Sequence, residues 1–373
     1  MKFTVSTSVL LDELQTISGA ISNNTVLPIL EDFLFVIEGK ILKIIASDLE
    51  TFMSSIVEDI EIAEEGTIAI PSRILLETLK ALPNQPLDFD IDQDTYQIKI
   101  FSSSGNYTLI GEGGEDFPEI PQPEDVAEIA IDSQVMLNAV NKTLFAVSTD
   151  ELRPAMTGVN IELGEQGTTF VATDAHKLVK YRNLEVTTAE YANFIVPRKA
   201  MTLLKNMLAK EKGDVTIAYN ATNAFFHLNG TDLVCRLIDA RFPDYNAVIP
   251  VDNPNIININ REDLAKALRR IAIYSSKSTY QVKLNVTKNK LDLLAEDRDF
   301  SNEAQESLTC QYDGEDLGIA FNARFLAEVL GVLDTEEVAI ELSTPSRAGV
   351  IIPSNTSENE ELLMLVMPIM MNN

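Results

Sequence analysis

The chain has no tryptophan, only two histidines and two cysteines, and no apolar run near the roughly 18 residues that a membrane-spanning helix needs. Cys235 and Cys310 fit neither a metal spacing nor a disulfide framework, so both read as reduced, inert thiols in strand-like stretches. His176 and His227 stand at no metal-ligand spacing. Nucleophile-elbow, phosphate-loop and dinucleotide-loop motifs are missing, and Gly111 to Gly114 lacks the strand–helix context a phosphate cradle requires. These absences argue against an enzyme and leave no role for a cofactor or metal. Met1 to Val5 has no extended apolar core, and Asp12 and Glu13 interrupt the next stretch of chain. No signal peptide is therefore expected, and the expected location is a reducing cytoplasm. Basic residues are scarce, 29 against 57 acidic, for a net charge of −28. An overall attraction to nucleic acid or anionic membrane is therefore not expected, although a local basic surface is compatible with this balance. Apolar residues make up 45% of 373, enough for a large core and too many for disorder.

What the sequence does have is repetition. Pro71-Ser72-Arg73, Pro197-Arg198-Lys199 and Asn322-Ala323-Arg324 each follow a strand-like run and open an apolar-periodic segment, at intervals of 125 or 126 residues. Proline at the first helical position, or asparagine as a cap, suits a helix start. Leu11, Leu137 and Leu264 form a second register. Ala46-Ser47-Asp48, Ala172-Thr173-Asp174 and Ala295-Glu296-Asp297 form a third, and Phe117-Pro118, Phe242-Pro243 and Met367-Pro368 a fourth. Each unit reads as strand, helix, several strands, helix, several strands. Leu87, Phe89 and Ile91 alternate with acids, which is the pattern of an antiparallel meander with one wet face. The class is α+β, with three tandem copies of one domain: 1–120, 128–248 and 255–373. Proline- and acid-rich linkers fall at 118–128 and 249–255. Asp48, Asp174 and Asp297, at equivalent points of the repeats, read as turn residues whose carboxylates bind local N–H groups.

Charge is partitioned. The six expected helices, 7–21, 72–82, 133–147, 198–212, 260–274 and 323–333, hold 13 basic and 7 acidic residues, whereas the remainder holds 16 and 50. Lysine and arginine suit helices on propensity alone. The alternative is a shared helical face that meets an anion, favoured by five cations in 198–212. No base-reading module is evident, so any nucleic-acid contact would be to phosphates.

MKFTV at Met1, LPIL at Leu27, SDLE at Ser47, VATDAHKL at Val171, IVPRK at Ile195, RFPDY at Arg241 and Val366-Met367-Pro368 stand in family order and spacing. On these motifs the chain resembles the bacterial DNA polymerase III beta subunits, the replicative sliding clamps, over its whole length. The resemblance implies a head-to-tail homodimer of six domains in a ring, with twelve helices lining a hole and sheets outside. It implies a non-catalytic processivity factor that slides on duplex DNA without regard to sequence. DNA-facing residues would be Asn24, Arg73, Lys80, Lys142, Arg153, Arg198, Lys199, Lys205, Arg269 and Arg270. The dimer seam would use Tyr107, Ile273 and Tyr274.

The resemblance further implies a cleft between the middle and last domains, where the replicative polymerase, the clamp loader and repair polymerases insert short Gln- and Leu/Phe-containing segments. By position it would comprise Met156, Thr173, Ala175, His176, Lys177, Leu178, Pro243 and Val248, with Phe325, Ser346, Leu365, Val366, Met367, Pro368 and Ile369. On the residues alone, 362–371 reads first as a C-terminal strand packed in the core, and only the resemblance makes it a cleft wall. The chain departs from the family at Asn23-Asn24-Thr25 and Asn246-Ala247, where a basic residue is common. It departs also at Pro154-Ala155, where aromatics are common, and in the Met370–Asn373 tail. The rival to this function is an acidic, monomeric protein-interaction scaffold that encircles no DNA.

Overall fold

A computed structural model describes residues 1–21, 27–210 and 212–370. Asn24 and the tail beyond Met370 lie outside the described residues. The first repeat runs β1 (Lys2–Ser6), α1 (Thr7–Ile17), β2 (Asp32–Glu38), β3 (Ile41–Ser47), β4 (Thr51–Val57), β5 (Ile60–Glu64), β6 (Gly66–Pro71), α2 (Ser72–Ala81), β7 (Pro86–Ile91), β8 (Gln97–Phe101) and β9 (Asn106–Ile110). The second runs β10 (Ala127–Asp132), α3 (Ser133–Thr143), β11 (Gly158–Leu163), β12 (Thr168–Thr173), β13 (Lys177–Asn183), β14 (Ala192–Pro197), α4 (Arg198–Lys210), β15 (Asp214–Tyr219), β16 (Asn223–Leu228) and β17 (Thr231–Arg236). The third runs β18 (Asn255–Asn260), α5 (Arg261–Ile271), β19 (Gln281–Thr287), β20 (Lys290–Asp297), β21 (Asn302–Thr309), β22 (Leu317–Asn322), α6 (Ala323–Gly331), β23 (Glu337–Leu342), β24 (Gly349–Pro353) and β25 (Glu360–Val366).

The chain divides into two compact units, Met1–Leu137 with Lys199–Leu237, and Asn138–Arg198 with Ile238–Asn373. In the first unit an antiparallel eight-stranded sheet runs β10-β15-β16-β17-β4-β3-β2-β6, beside a five-stranded sheet β5-β1-β7-β8-β9. In the second, the eight-stranded sheet runs β14-β11-β12-β13-β25-β24-β23-β18, beside a four-stranded sheet β21-β20-β19-β22. Each eight-stranded sheet is two four-stranded halves from adjacent repeats. They are zipped at one seam, β17 to β4 or β13 to β25.

The helices follow their apolar faces. α1 buries Leu10, Leu14 and Ile17, one turn apart, and α5 buries Leu264, Leu268 and Ile271. Each fully buried leucine contributes roughly 2 kcal/mol of transfer free energy. The Asn322 side chain caps α6 by accepting from the backbone N–H groups of Arg324 and Phe325, and Asn260 caps α5 through the N–H of Asp263. Pro71 differs from expectation: it is the N-cap itself, extended at φ −52° and ψ 112°, and Ser72 takes the first helical position. Proline is tolerated there because Pro71, paired with Asp32, ends β6, the edge strand of its eight-stranded sheet.

Cys235 lies buried in β17, where burial pushes its thiol up to about 12. Cys310 lies one residue beyond β21 and is also buried, with its thiol pushed up for the same reason. Neither favours the nucleophilic thiolate.

Asp32, at the start of β2, is buried, and desolvation aided by Glu112 and Glu31 raises its carboxyl to about 6. The fold therefore prefers the neutral acid, and stability present near pH 4 is lost as the pH rises through about 6. Asp32→Asn is expected to stabilise the protein by about 1–3 kcal/mol at pH 8, with the gain vanishing below pH 4. Urea midpoints across that range measure it.

Candidate binding surfaces

The implied cleft residues all belong to the second unit. Along β13 and β25 alternate side chains point to opposite faces, and Leu178 pairs directly with Leu365 across the seam. These two, with Val171, Tyr245 and Ala348, form one buried cluster on which Phe242, Ile249 and Leu363 pack half-exposed. Pro243 is half-buried and Val248 is 53% exposed. The result is an apolar floor of aliphatic side chains under a strap that contains the RFPDY motif. The strap is anchored by the Tyr245 hydroxyl, which donates to Glu162 Oε2 at 2.9 Å.

The edge of the floor is a fixed turn. Asp174 Oδ1 accepts from the N–H groups of His176 and Lys177, both at 2.9 Å, and Ala175 adopts a left-handed φ of 73°. Thr173 closes the same turn through its hydroxyl, which donates to the Lys177 carbonyl. The chain after β25 is pinned at two points: Met367 N–H donates to the His176 carbonyl at 2.8 Å and Ile369 N–H to the Ala320 carbonyl at 2.7 Å. Met367 is 39% exposed there, and Pro368 is half-buried. The His176 ring stacks on Phe325 of α6 at 5.9 Å. Met156 is half-buried and Ser346 exposed.

Two members of the cleft set are corrected. Val366 alternates to the opposite face from Leu365 and is fully buried, so it supports the core instead of the groove. Lys177 turns its ammonium inward, 2.8 Å from Asp174, 3.1 Å from Glu328 and 4.4 Å above the Phe325 ring. It orients the Phe325 wall. Sequence reasoning omitted Tyr245 and Phe242, although both stand in the RFPDY motif that marked the site. It also omitted Glu328, which lies three positions past Phe325 on the same helix, and nothing local marks Ala348.

Of the cations assigned to DNA, Lys80, Arg198, Lys205 and Arg269 are exposed. Arg73 is exposed beside Glu77, and Arg153 pairs with Asp150 at 2.9 Å. Three others are already held by acceptors of the protein itself. Lys142 is 3.0 Å from Glu360 and lies 4.8 Å above the Tyr181 ring, and the Tyr181 hydroxyl donates to the same carboxylate at 2.7 Å. Burial works against the Glu360 carboxylate, but Tyr181 and Lys142 outweigh it and hold its pKa below the ordinary range. Lys199 donates to the Ala20 carbonyl and to Asp48, at 2.8 and 2.6 Å. Arg270 makes a forked pair with Glu306 of β21. For Lys142 and Lys199 the phosphate role is replaced by a structural one, because a partly buried cation already held by a carboxylate has little to offer a second anion. Tyr107 stands on β9, an edge strand, while Ile273 and Tyr274 follow α5, exposed. The aspartates equivalent to Asp174 behave as turn residues too: Asp48 accepts from the N–H groups of Glu50 and Thr51, and Asp297 from that of Asp299.

Three models of the DNA polymerase III beta subunit match in chain order: the N-terminal domain over 1–121, the central domain over 130–244 and the C-terminal domain over 246–370. The chain belongs to the DNA polymerase III beta subunit family. The beta sliding clamp of Pseudomonas aeruginosa is 28% identical over 369 residues, 99% of each chain, and that of Bacillus subtilis is 26% identical over 379 residues, again 99% of each. The crystal structure of the Thermotoga maritima DNA polymerase III beta subunit superposes with a TM-score of 0.92 at 29% identity. That of the Pseudomonas aeruginosa clamp bound to griselimycin superposes with 0.93 at 27%; both matches cover all of each chain. The fold is thus three tandem clamp domains, and the function is that of a beta sliding clamp, a non-catalytic processivity factor of DNA polymerase III. Among the described residues no helix is long and apolar enough to cross a membrane.

Lys177→Met leaves the Asp174 and Glu328 carboxylates without their common cation. It is expected to cost about 1–3 kcal/mol at pH 7, read from urea unfolding. Burial opposes ionisation of Asp174, yet Lys177 and the turn N–H groups hold its carboxyl below the ordinary value of 3.8. Stability from a depressed carboxyl is lost as the pH falls through its folded pKa, so the difference between wild type and variant should close below pH 3.8.

Proposed function

We propose that two copies of this clamp close head to tail around duplex DNA and recruit partner proteins at the Leu178–Leu365 groove. The carrying observation is the seam. β17 pairs with β4, and β25 with β13, each time the last strand of one repeat against the fourth strand of its neighbour. The strands left over are β9 of the first repeat and β21 of the last, each at the edge of its own sheet. Pairing β9 of one copy with β21 of another satisfies both edges and makes the number of domains six. The register follows from the internal repeat. Leu233 faces Met53 at the first seam. Tyr107 corresponds to Leu233, because Ile100 pairs with Tyr107 as Phe226 pairs with Leu233, and Ala304 corresponds to Met53, because Ala46 pairs with Met53 as Ala295 pairs with Ala304. Tyr107 therefore faces Ala304 of the second copy, with Ile273 and Tyr274 flanking the joint.

The clamp domains are assigned to 1–120, 128–248 and 255–373. Arg73, Lys80, Arg153, Arg198, Lys205, Arg269 and the exposed Arg270 meet phosphates, weakly and without base contacts, as sliding requires. Asn24 belongs to the same assignment from its sequence position. The acidic strands discourage DNA from any other surface. The groove formed by Leu178, Pro243, Val248, Leu365, Met367 and Ile369 takes apolar side chains of short segments from the replicative polymerase, the clamp loader and repair polymerases. Its methionine adapts to different occupants. The protein acts in the cytoplasm.

Two experiments test this. Tyr107→Cys with Ala304→Cys should crosslink under mild oxidation into covalent dimers, on a particle of twice 41.2 kDa by light scattering. A monomer at every concentration would replace the ring with the scaffold. Arg198→Glu with Lys205→Glu should leave dimer mass unchanged but shorten retention on nicked circular DNA, and should flatten its salt dependence by about two phosphate contacts per chain. Unaltered retention would remove these helices from the DNA path.

A further inference from the structure

The first unit carries a groove over its own seam that none of the functions above uses. On one side of the Phe52–Val234 pair lies a cavity of about 410 Å³, lined by Phe52, Phe225, Val234, Ile120, Pro121 and Pro123. On the other side lies a second, of about 300 Å³, which shares Phe52, Pro121 and Val234 and adds Leu49. Phe52, Ala218, Phe225 and Val234 form one buried cluster, with Ile120 and Val126 of the linker packed on it. Concave apolar surface with a few polar groups at its rim is the usual form of a binding site.

This groove repeats the construction of the peptide cleft. Val234 faces Phe52 across the first seam as Leu365 faces Leu178 across the second, and Phe52 and Leu178 are 126 positions apart. Ile120 corresponds to Tyr245, each in the strap that crosses the floor. The turn at the edge is the same. Asp48 fixes it as Asp174 does, and Leu49 holds a left-handed φ of 79° where Ala175 holds 73°. A leucine in that conformation is strained, and this one is also 44% exposed beside the second cavity. The strap differs in charge: residues 118–128 carry four acids and no base, and Glu128 lines the larger cavity.

We propose that the Phe52–Val234 groove is a second peptide-docking site. Its occupant is a short extended segment of a partner protein that combines a large apolar side chain with a basic one. The apolar side chain seats on Phe52, Phe225 and Val234, and Leu49 covers it. The basic side chain faces Glu128 and the acidic strap. The equivalence rests on reading the second seam as the peptide cleft, so the test separates the two.

The probe is the hexapeptide Arg-Gln-Leu-Ala-Leu-Phe, titrated calorimetrically into the full-length protein. The expected result is two sites per chain. Val248→Glu with Met367→Glu, both at exposed positions, should remove one. Leu49→Asn with Glu128→Lys should weaken the other at least about tenfold; asparagine tolerates the left-handed turn and both positions are exposed, so the fold is preserved. A single site, lost with Val248→Glu and Met367→Glu and indifferent to the other pair, would overturn this inference and leave the cleft standing. A single site with the opposite sensitivity would support the groove and overturn the cleft. Binding at neither would overturn both.

Discussion

Unpaired strand edges govern this molecule. A four-stranded half-sheet from one repeat ends in a row of free N–H and C=O groups, and leaving such a row open costs hydrogen bonds and invites aggregation. The seams β17 to β4 and β13 to β25 meet that cost with five and seven paired residues. Each bond contributes only about 1 kcal/mol net, but the ladder fixes register, and register fixes which side chains share a face. Everything functional depends on that choice. Leu178 and Leu365 meet on one face because the strands pair in that register, and a slip of one residue would exchange Leu365 for the core residue Val366.

The same seams explain how an acidic protein uses its few cations. Lys199 bridges α4 to Asp48 and the Ala20 carbonyl. Lys142 bridges α3 to Glu360 at the start of β25, and Arg270 holds Glu306 of the edge strand β21. These cations stitch helices to sheets that arrive from distant parts of the chain. Arg198 and Lys205 on α4 and Arg269 on α5 are exposed and suit weak phosphate contact. Sliding favours that economy, since a helix face saturated with free cations would hold DNA too tightly to move along it.

The repeat, the six helices and the turn aspartates were legible because each leaves a local mark: apolar periodicity, a capping asparagine, or an aspartate two and three residues before the N–H groups it binds. The floor of the cleft was legible through family motifs. The structural role of the basic residues was not. Asp48 lies 151 positions before Lys199, and Glu360 lies 218 after Lys142. Nothing in a single sequence links such pairs, because the strand pairing that brings them together is itself non-local. Val366 was misplaced for a related reason: alternation along β25 is hidden when both faces are apolar, so period two leaves no trace in Leu362 to Val366.

Wherever two half-sheets join, the chain must cross the seam to begin the next repeat, and the crossing strap roofs the paired strands. A strap rich in proline cannot complete a ladder with the strands below, so space remains between roof and floor. A groove at each seam is therefore a consequence of tandem duplication. What differs between seams is the chemistry of the rim: a histidine–phenylalanine wall and a methionine at the second, an exposed leucine and a run of acids at the first. Specificity among partners can then be set by rim residues alone, while the floor stays under the constraint of holding the sheet together.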